Sequence, residues 1–397
     1  MHDRLFPFVT ADPGEPVPEY AELRETEPVA RVTLPTGHRG WLVTRHEDVR
    51  AVCGDPRFSK ELATAPEAPR LLPIARGSRS IVNLDPPAHT RLRRLVAQGF
   101  SRRRTDALRP RVTEIAGDLV DAMTAWGTTA DAVAALALPL PVTVICELLG
   151  VPVDDQERFR AWSDRLLSVP GPEVSAEETA EAGMNLAVYL AGLIEDKRVN
   201  PGDDVLTTLV SAYEEGDRLS EEELITFGMT LLVAGYHTTT SAIAHSLLQL
   251  LSRPERYAML VARPELAERA VEELLRYSQI ASGFGALRIA TEDVELGGVR
   301  IPAGDPVIPL FTSANRDEKV FPDAGTLDLE RADNPHLAFG AGMHYCLGAQ
   351  LARVELRVLL EELVRRLPTL ALDDQEDGIE WLTATAFPRP LSLHVSW

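Results

Sequence analysis

The chain has 397 residues, of which 45% are hydrophobic and 25% are charged, which is typical of a globular protein. Its formal net charge of −20 argues against nonspecific binding to nucleic acid or to an anionic membrane, because both are polyanions. The three cysteines are too few and too scattered for a disulfide framework. The start lacks a basic segment followed by an apolar run, and the most apolar segment, residues 132–149, is too short to span a bilayer. We therefore expect a soluble, cytoplasmic protein.

The first quarter of the chain mixes short helices and strands. Residues 18–27 have a helical pattern, and residues 29–34 and 40–44 are predicted to pair as strands. A helix beginning near Arg45 is expected to end at Gly54. Residues 60–79 contain prolines and little periodicity, which predicts a loop.

The next predicted helix opens at Asp85 and carries His89 and Arg93 four residues apart on one face. Two donors on one face can bind a pair of carboxylates, although the same pattern arises often by chance. Arginines crowd into this stretch and the one that follows: Arg91, Arg93, Arg94, Arg102, Arg103, Arg104, Arg109 and Arg111. Such a patch can dock an acidic partner in spite of the overall charge, and the alternative is a solvated helix face.

Helical patterns dominate the middle of the chain. They cover residues 110–126, 141–149, 154–167, 175–197 and 204–213. No segment has the composition of a linker, so we predict a single, mainly α-helical domain with small β-sheets over residues 1–397.

A capping box at Ser220–Glu223 begins a long apolar pattern that runs through Leu251, a helix of roughly 50 Å at 1.5 Å per residue. Its middle, residues 234–240, reads AGYHTTT, and glycine and β-branched residues are poor choices for a buried helix. Threonine hydroxyls can donate to a carbonyl one turn back, which bends a helix and makes room for water or dioxygen.

A helix over residues 264–277 follows, in which Glu273 and Arg276 are one turn apart and can form a charge-assisted pair that accepts a third arginine. Short strands are predicted next, with a hairpin turn at Gly297-Gly298, and a further hairpin is predicted at residues 383–395. These short strands lie at residues 288–290, 294–296, 299–301 and 307–310.

One cysteine, Cys346, lies in the glycine-containing loop FGAGMHYCLG (residues 339–348), directly before a helical pattern that reaches Arg366. A helix N-terminus favours a thiolate over a thiol. We expect Gly342 and Gly348 to allow the positive φ and close backbone approach that a flat ligand requires. A lone thiolate does not suit structural zinc or an iron–sulfur cluster but suits one axial position of a haem. The alternative is an ordinary buried cysteine.

The Phe-x-x-Gly-x-x-x-Cys-x-Gly frame of this loop resembles the haem-binding loop of the cytochrome P450 family. The earlier motifs resemble other segments of that family in the same order. The resemblance implies a heme b held between a long distal helix and the proximal Cys-loop helix, with Cys346 as the iron ligand. It implies a structural triad of Glu273, Arg276 and Arg331. It also implies further cofactor contacts from His89, Arg93, Arg288, His344, Phe339, Gly342 and Gly348.

In the distal helix, Thr238 matches the threonine that handles protons for bound dioxygen, and Ala234 and Gly235 match residues that line the oxygen groove. His237 departs from the family, which usually has a carboxylate there. This histidine either replaces the acid as a proton relay or points into a structural hydrogen bond. A third hypothesis is a reaction less dependent on the relay, such as radical coupling or cyclisation.

The resemblance implies a monooxygenase that inserts oxygen from O2 into a medium-sized apolar natural product. Electrons would come from a ferredoxin and its reductase, docked on the arginine stretch with Arg353 and Arg357. We expect a monomer without nucleic-acid or membrane partners. The alternatives are radical C–C or C–N coupling or cyclisation and, from another class, a haem-based sensor or electron carrier. Substrate contacts are expected from Asn83, Leu84, Met229, Val233, Ser282, Phe284 and Thr385.

Overall fold

The computed structural model describes residues 4–8, 10, 13–71, 79–97, 99–169, 174–214, 219–280, 286–373 and 378–397. The α-helices of these residues are α1 (Pro18–Thr26), α2 (His46–Gly54), α3 (Ala88–Ala97), α4 (Arg102–Thr124), α5 (Pro139–Leu149), α6 (Gln156–Leu167), α7 (Ala176–Val199), α8 (Val205–Glu214), α9 (Glu221–Leu251), α10 (Pro254–Ala262), α11 (Ala267–Tyr277), α12 (Phe311–Ala314) and α13 (Ala349–Arg366). The β-strands are β1 (Arg4–Leu5), β2 (Val29–Thr33), β3 (Arg39–Val43), β4 (Phe58–Ser59), β5 (Thr129–Asp131), β6 (Arg288–Ala290), β7 (Val294–Leu296), β8 (Val299–Ile301), β9 (Pro306–Pro309), β10 (Ala371–Leu372), β11 (Trp381–Leu382), β12 (Arg389–Pro390) and β13 (His394–Ser396). The predicted fold class, mostly helical with small sheets, is confirmed.

The chain forms two compact units. The sheet unit comprises residues 1–90 and 272–347, and the helical unit comprises residues 91–271 and 348–397. The single domain expected from the sequence stays a prediction.

The sheet unit is built on a six-stranded sheet with the strand order β1-β2-β3-β9-β6-β4. The predicted pairing of β2 with β3 is confirmed and is antiparallel, whereas β3 pairs with β9 in parallel. Successive side chains point to opposite faces of a strand, and here both faces are buried. Leu42 and Ile308 belong to one core cluster, and Val43 and Val307 to the other. The centre of the sheet, at β3 and β9, is therefore covered on both faces.

The hairpin predicted at Gly297-Gly298 is confirmed. Strands β7 and β8 pair antiparallel around these two residues, whose φ values are 55° and 78°. Two successive positive φ values are what a two-residue type I′ turn requires, and glycine adopts them without steric cost.

The helical unit is organised around α9, which packs against α5, α6, α7, α8, α10 and α13. The capping box at Ser220 is present, with its side chain accepting from the Glu223 N–H and Glu223 bonding back to the Ser220 N–H. The helix has 31 residues, about 46 Å at 1.5 Å per residue. From Thr239 to Leu251 every residue is buried, so this half of α9 is the centre of the core.

Two predicted boundaries were wrong. α4 begins at Arg102 rather than Pro110, and Pro110 lies inside it at an exposed position where water can bond the carbonyl left without an N–H. The hairpin predicted over residues 383–395 is not formed within the described residues 378–397, because β12 pairs with β11 while β13 joins a three-stranded sheet, β10-β13-β5. The pairing with β5 joins residues far apart in the chain, which local patterns do not reveal. Within the described ranges, no helix combines the length and apolarity needed to span a bilayer.

Candidate active site

The Cys346 loop of the sheet unit is held by its own backbone. The Cys346 N–H donates to the Phe339 carbonyl at 2.9 Å, and the Gly340 N–H donates to the Leu337 carbonyl at 2.9 Å. The Cys346 thiol is exposed, unlike those of Cys53 and Cys146. α13 begins three residues later, at Ala349, which confirms the predicted helix start. The loop therefore presents one accessible sulfur from a fixed backbone.

The glycines of this loop are not equivalent. Gly340 and Gly342 have φ values of 71° and 68°, whereas Gly348 has φ −84°. The expected positive φ at Gly348 was wrong, because this residue is the N-cap of α13 and needs no left-handed conformation. A Cβ atom on Gly342 would lie 2.2 Å from the Cys53 carbonyl oxygen, so the loop rests directly on the end of α2. Only glycine fits there.

The triad residues meet beneath this loop. The Glu273 carboxylate accepts five hydrogen bonds, from Arg276 at 2.7 and 2.8 Å, Arg331 at 3.0 Å, Asn334 at 3.1 Å and the Asp328 N–H at 2.8 Å. Glu273 and Arg276 are completely buried. A buried charge is tolerated only when it is paired and fully bonded, and this arrangement meets that condition. Asn334 was not foreseen, because an isolated asparagine carries no sequence signal.

A second contact of the same kind joins the helix α11 to the segment before the loop. His336 Nε2 lies 3.0 Å from Glu272 Oε2, and its Nδ1 accepts from the Ala338 N–H at 3.2 Å. The pair lies beside the triad and was also missed from the sequence.

Arg288 and two histidines of the sheet unit fit the acidic side chains of a cofactor. Burial lowers the pKa of Arg288, which donates to the Ala286 carbonyl at 2.7 Å. Asp85 and Cys53 favour its charged form but oppose the effect of burial only in part, and no carboxylate of the described residues forms an ion pair with it, so an anionic ligand group would compensate its buried charge. The rings of His89 and His344 are in contact, with centroids 4.3 Å apart and planes tilted by 52°. The residues implied by the resemblance are therefore suited to a ligand with carboxylates. Arg93, half-buried on α3, belongs to the helical unit.

In the helical unit, α9 carries an accessible stripe before its buried half. Ala234 is exposed and Thr238 half-buried one turn apart on the same face, and Met229 and Val233 are half-buried in the preceding turns of the helix. Thr238 Oγ1 donates to the Ala234 carbonyl at 2.6 Å, the bond one turn back that the sequence predicted. The hydroxyl proton is thereby engaged, and Thr238 Oγ1 can still accept a hydrogen bond through its lone pairs.

Gly235 has a packing role in the structure. A Cβ atom on it would lie 2.8 Å from Ile145 Cδ1 of α5. Two helices approach closely at this point because position 235 has no side chain.

His237 points toward α6. Its Nε2 lies 3.8 Å from Asp164 Oδ1, and its ring lies 4.4 Å from that of Tyr236. Burial lowers the pKa of His237 to about 4, with a smaller lowering by Arg389 and an opposing effect of the Ser163 backbone. The ring is therefore neutral near pH 7. Nε2 is buried without a hydrogen-bond partner in the described part of the chain.

The remaining predicted substrate contacts are dispersed. In the sheet unit Asn83 is half-buried and Leu84 buried. In the helical unit Thr385 is buried and bridges to Ser168 after the end of α6. Ser282 and Phe284 lie outside the described residues.

Much of the predicted arginine patch is occupied by ion pairs. Arg91 pairs with Glu223, Arg104 with Asp203 at 3.0 Å, Arg109 with Glu361, and Arg111 with Glu147 at 2.6 Å. On α13, Arg357 pairs with Glu361 and Glu268. Arg102 and Arg103 remain exposed, and Arg102 lies 3.7 Å from Asp106. The surface that offers positive charge is thus smaller than the arginine count suggests.

An accessible thiol on a rigid glycine loop, with a buried cation nearby, has the donor set of a haem-thiolate site. Comparison of the chain with known proteins supports this interpretation. The chain matches the family model described as Cytochrome P450 over residues 175–262 and 256–389. It is 48% identical over 395 residues to the mycinamicin IV hydroxylase/epoxidase of Micromonospora griseorubida, covering 99% of this chain and 98% of the relative. It is 47% identical over 400 residues to the nocardicin C N-oxygenase of Nocardia uniformis subsp. tsuyamanensis, with the same two coverages.

Among solved structures, the putative thioether synthase SgvP, involved in the tailoring step of griseoviridin, matches with a TM-score of 0.94 at 45% identity and full coverage of both chains. The chain belongs to the cytochrome P450 family. It is a P450 monooxygenase, an oxidoreductase of secondary metabolism with haem iron as its cofactor. The alternative of a sensor or electron carrier has no support among these relatives.

Proposed function

We propose that this chain is a heme b monooxygenase that oxidises a medium-sized, mainly apolar natural product. The observation that carries the proposal is the Cys346 loop, which holds one exposed thiol in a backbone fixed by the bond from Cys346 N–H to the Phe339 carbonyl. The relatives add weight, because two of them are named as oxygenating enzymes acting on mycinamicin IV and nocardicin C.

The chain supplies distinct functions around the cofactor. Cys346 would bind the iron, while Arg288, His89 and His344 would bind the propionates. Bound haem supplies the activation of dioxygen and the oxidation of the substrate. The Thr238 hydroxyl donates its hydrogen bond to the Ala234 carbonyl, so its lone pairs are left to accept a hydrogen bond from a ligand or water beside α9. Met229 and Val233 contribute apolar surface that favours a substrate over water.

One spectrum tests this proposal. The reduced, CO-treated holoprotein should show the strongly red-shifted Soret band of thiolate-ligated haem. Cys346→Ala should lose that band, whereas Cys146→Ala, which removes a buried thiol from α5, should keep it. A wild-type protein that shows no such band after haem supplementation would refute the proposal.

A second candidate is coupling or cyclisation without oxygen insertion. It is favoured by His237, which is not a carboxylate, and by the similarity to a protein titled a putative thioether synthase. Mass analysis of products formed under ¹⁸O2 distinguishes the two. A product that gains labelled oxygen supports insertion, and a product that loses hydrogen without gaining oxygen supports coupling.

We further propose that an acidic ferredoxin delivers the electrons and docks at Arg102 and Arg103, two neighbouring exposed cations in the first turn of α4. Replacing both with Glu should slow reduction in a salt-dependent way, because charge steering is screened by salt. Arg158→Glu on α6 is the matched control and should leave the rate unchanged. Equal rates for all three proteins would exclude this docking face. The monomeric state, the single domain and the cytoplasmic location stay predictions of this proposal.

A further inference from the structure

Charged and polar side chains of the helical unit gather where α6 packs against α9. The Asp164 cluster consists of Arg160, Asp164, Tyr236, His237 and Arg389. Asp164 lies at its centre, because the electrostatic influence of each of the two arginines and of the Tyr236 hydroxyl reaches its carboxylate. The function proposed above gives Asp164 no role.

The cluster leaves two buried polar atoms without partners. Tyr236 Oη and His237 Nε2 are both inaccessible and form no hydrogen bond of normal geometry within the described residues. Buried polar atoms are nearly always bonded, so each such atom calls for an explanation. The Asp164 carboxylate is near both, at 3.8 Å from His237 Nε2. Movement of the carboxylate by less than about 1 Å brings Nε2 into hydrogen-bond range.

The two partners differ in accessibility. Asp164 keeps 44% of its side-chain surface accessible, whereas His237 keeps 11%. An accessible carboxylate has room to move, and a buried imidazole does not. The contact is therefore made or broken by Asp164, while the ring stays in place against Tyr236.

Histidine chemistry gives this contact a consequence. A carboxylate that accepts from one ring nitrogen fixes the tautomer and leaves the other nitrogen unprotonated. It also stabilises the ring whenever the second nitrogen takes a proton. His237 directly precedes Thr238, whose hydroxyl bonds the Ala234 carbonyl.

We propose that Asp164 is the positioning residue of His237: it accepts Nε2–H from the ring and so keeps Nδ1 available to take up and return one proton beside Thr238. The inference rests on the proposed function. The step is balanced, because the proton that Nδ1 accepts from water is the proton it passes on, while Nε2–H and the Asp164 carboxylate are unchanged. No electron moves in it.

The burial of the ring agrees with this role. A ring whose pKa is lowered to about 4 is neutral at pH 7, so one nitrogen is an acceptor before each transfer. Burial raises the pKa of Asp164, and Arg160 and Tyr236 oppose the rise. Arg160 and Arg389 supply positive charge that keeps the carboxylate an acceptor.

The direct test is ¹⁵N-histidine NMR on the reduced, CO-bound holoenzyme, which has nine histidines to resolve. His237→Phe assigns the signal of interest. We expect the Nε2–H tautomer in the wild type and a shift toward the Nδ1–H tautomer in Asp164→Ala. Asp154→Ala, which removes an exposed carboxylate next to α6, is the matched control and should leave the signal unchanged. An unaltered His237 signal in Asp164→Ala would overturn the proposal.

The second measurement is the coupling of electron consumption to product formation, followed as the peroxide released per product. Asp164→Ala and His237→Phe should each raise the peroxide formed per product on the order of tenfold, less than the full effect of a general acid, because water replaces part of the function. Asp164→Asn, which keeps the shape of the side chain and an oxygen that accepts from Nε2–H, removes only the charge and should raise the peroxide ratio less than Asp164→Ala. The two changes combined should be no worse than either alone.

His237→Glu provides a rescue. It places a carboxylate directly before Thr238, so adding Asp164→Ala to it should cause no further loss of coupling. A further loss equal to that in the wild-type background would show that Asp164 acts elsewhere. These outcomes are distinct from failure of the proposed function, which appears as the absence of the red-shifted CO band in the wild type.

Discussion

The Cys346 loop and the middle of α9 satisfy their buried polar groups in opposite ways. Beneath the loop, the Glu273 carboxylate accepts five hydrogen bonds and the Arg276 beside it is completely buried. In α9, the side-chain atoms Tyr236 Oη, His237 Nε2 and Thr240 Oγ1 are buried without partners among the described residues. All side-chain polar atoms of Glu273 and Arg276 are bonded, although Asn334 Oδ1 beside them has no partner among the described residues, whereas α9 retains three side-chain atoms that can form further hydrogen bonds.

This difference matches the two tasks of the proposed enzyme. A ligand that binds permanently needs a support that cannot relax, and a buried network that is fully bonded is rigid. Proton transfer needs polar atoms that can exchange hydrogen-bond partners. Atoms whose hydrogen bonds are all made to other buried groups of the protein are not available for this. Substitutions beneath the Cys346 loop should therefore lower stability and haem retention. Substitutions in the middle of α9 should instead lower the coupling of electrons to product.

The largest effect is expected at the triad. Glu273→Ala would leave the charges of Arg276 and Arg331 buried without their carboxylate, at a cost of about 3–5 kcal/mol. We expect poor haem retention and a lower free energy of unfolding, measured by denaturant titration and the CO spectrum. The neighbouring Glu272→Ala loses the His336 contact and should cost about 1 kcal/mol. Equal effects of the two changes would contradict the assignment of rigidity to Glu273.

The glycines of the loop give the next largest effect. Gly342→Ala forces φ 68° on a residue with a side chain, which costs about 1–3 kcal/mol, and sets its Cβ against the Cys53 carbonyl. Gly348→Ala has φ −84° and nothing within 4 Å of the added Cβ, so it should change stability little. Thermal unfolding of both variants measures the contrast. A similar loss in the two would mean that the loop does not rest on α2.

The sequence predicted well those features that depend on neighbouring residues. The turn at Gly297-Gly298, the helix start at Ala349 and the capping box at Ser220 all depend on residues within a few positions of one another. It failed where the determining contact is distant. Which glycine of the loop is closely approached depends on Cys53, far away in the sequence: a Cβ atom on Gly342 would lie 2.2 Å from the Cys53 carbonyl oxygen, whereas nothing lies within 4 Å of one on Gly348.

The middle of α9, residues 234–240, was predicted only in outline. The order of glycine, histidine and threonine in α9 marked the position, and the bond from Thr238 to the Ala234 carbonyl is present. The environment of His237 depends on Asp164, which lies 73 positions away in sequence on a helix whose facing residues no local pattern identifies. Tertiary packing therefore decides between the two interpretations of this histidine.

His237 should make stability depend on pH. Its pKa is about 4 in the folded chain and about 6.5 for an unperturbed histidine, so the unfolded state binds more protons between these limits. The free energy of unfolding should therefore fall as the pH is lowered from 6.5 toward 4, by up to about 3 kcal/mol. His237→Phe should flatten this slope, while His38→Gln, at an exposed turn, should keep it. A slope that survives His237→Phe would show that another group is responsible.

Substitution of Thr238 should give the smallest change in stability and a clear change in the peroxide formed per product. Thr238→Ala removes one half-exposed hydroxyl and its bond to Ala234, which costs about 1 kcal/mol or less. Thr230→Ala removes an equivalent bond, to the Thr226 carbonyl at 2.7 Å, two turns earlier in α9. If the Thr238 hydroxyl takes part in proton transfer, peroxide formation should rise in Thr238→Ala and not in Thr230→Ala. The free energy of unfolding should fall by a similar amount in both variants. A rise in both would assign the effect to the helix backbone, because that bond is what the two residues share.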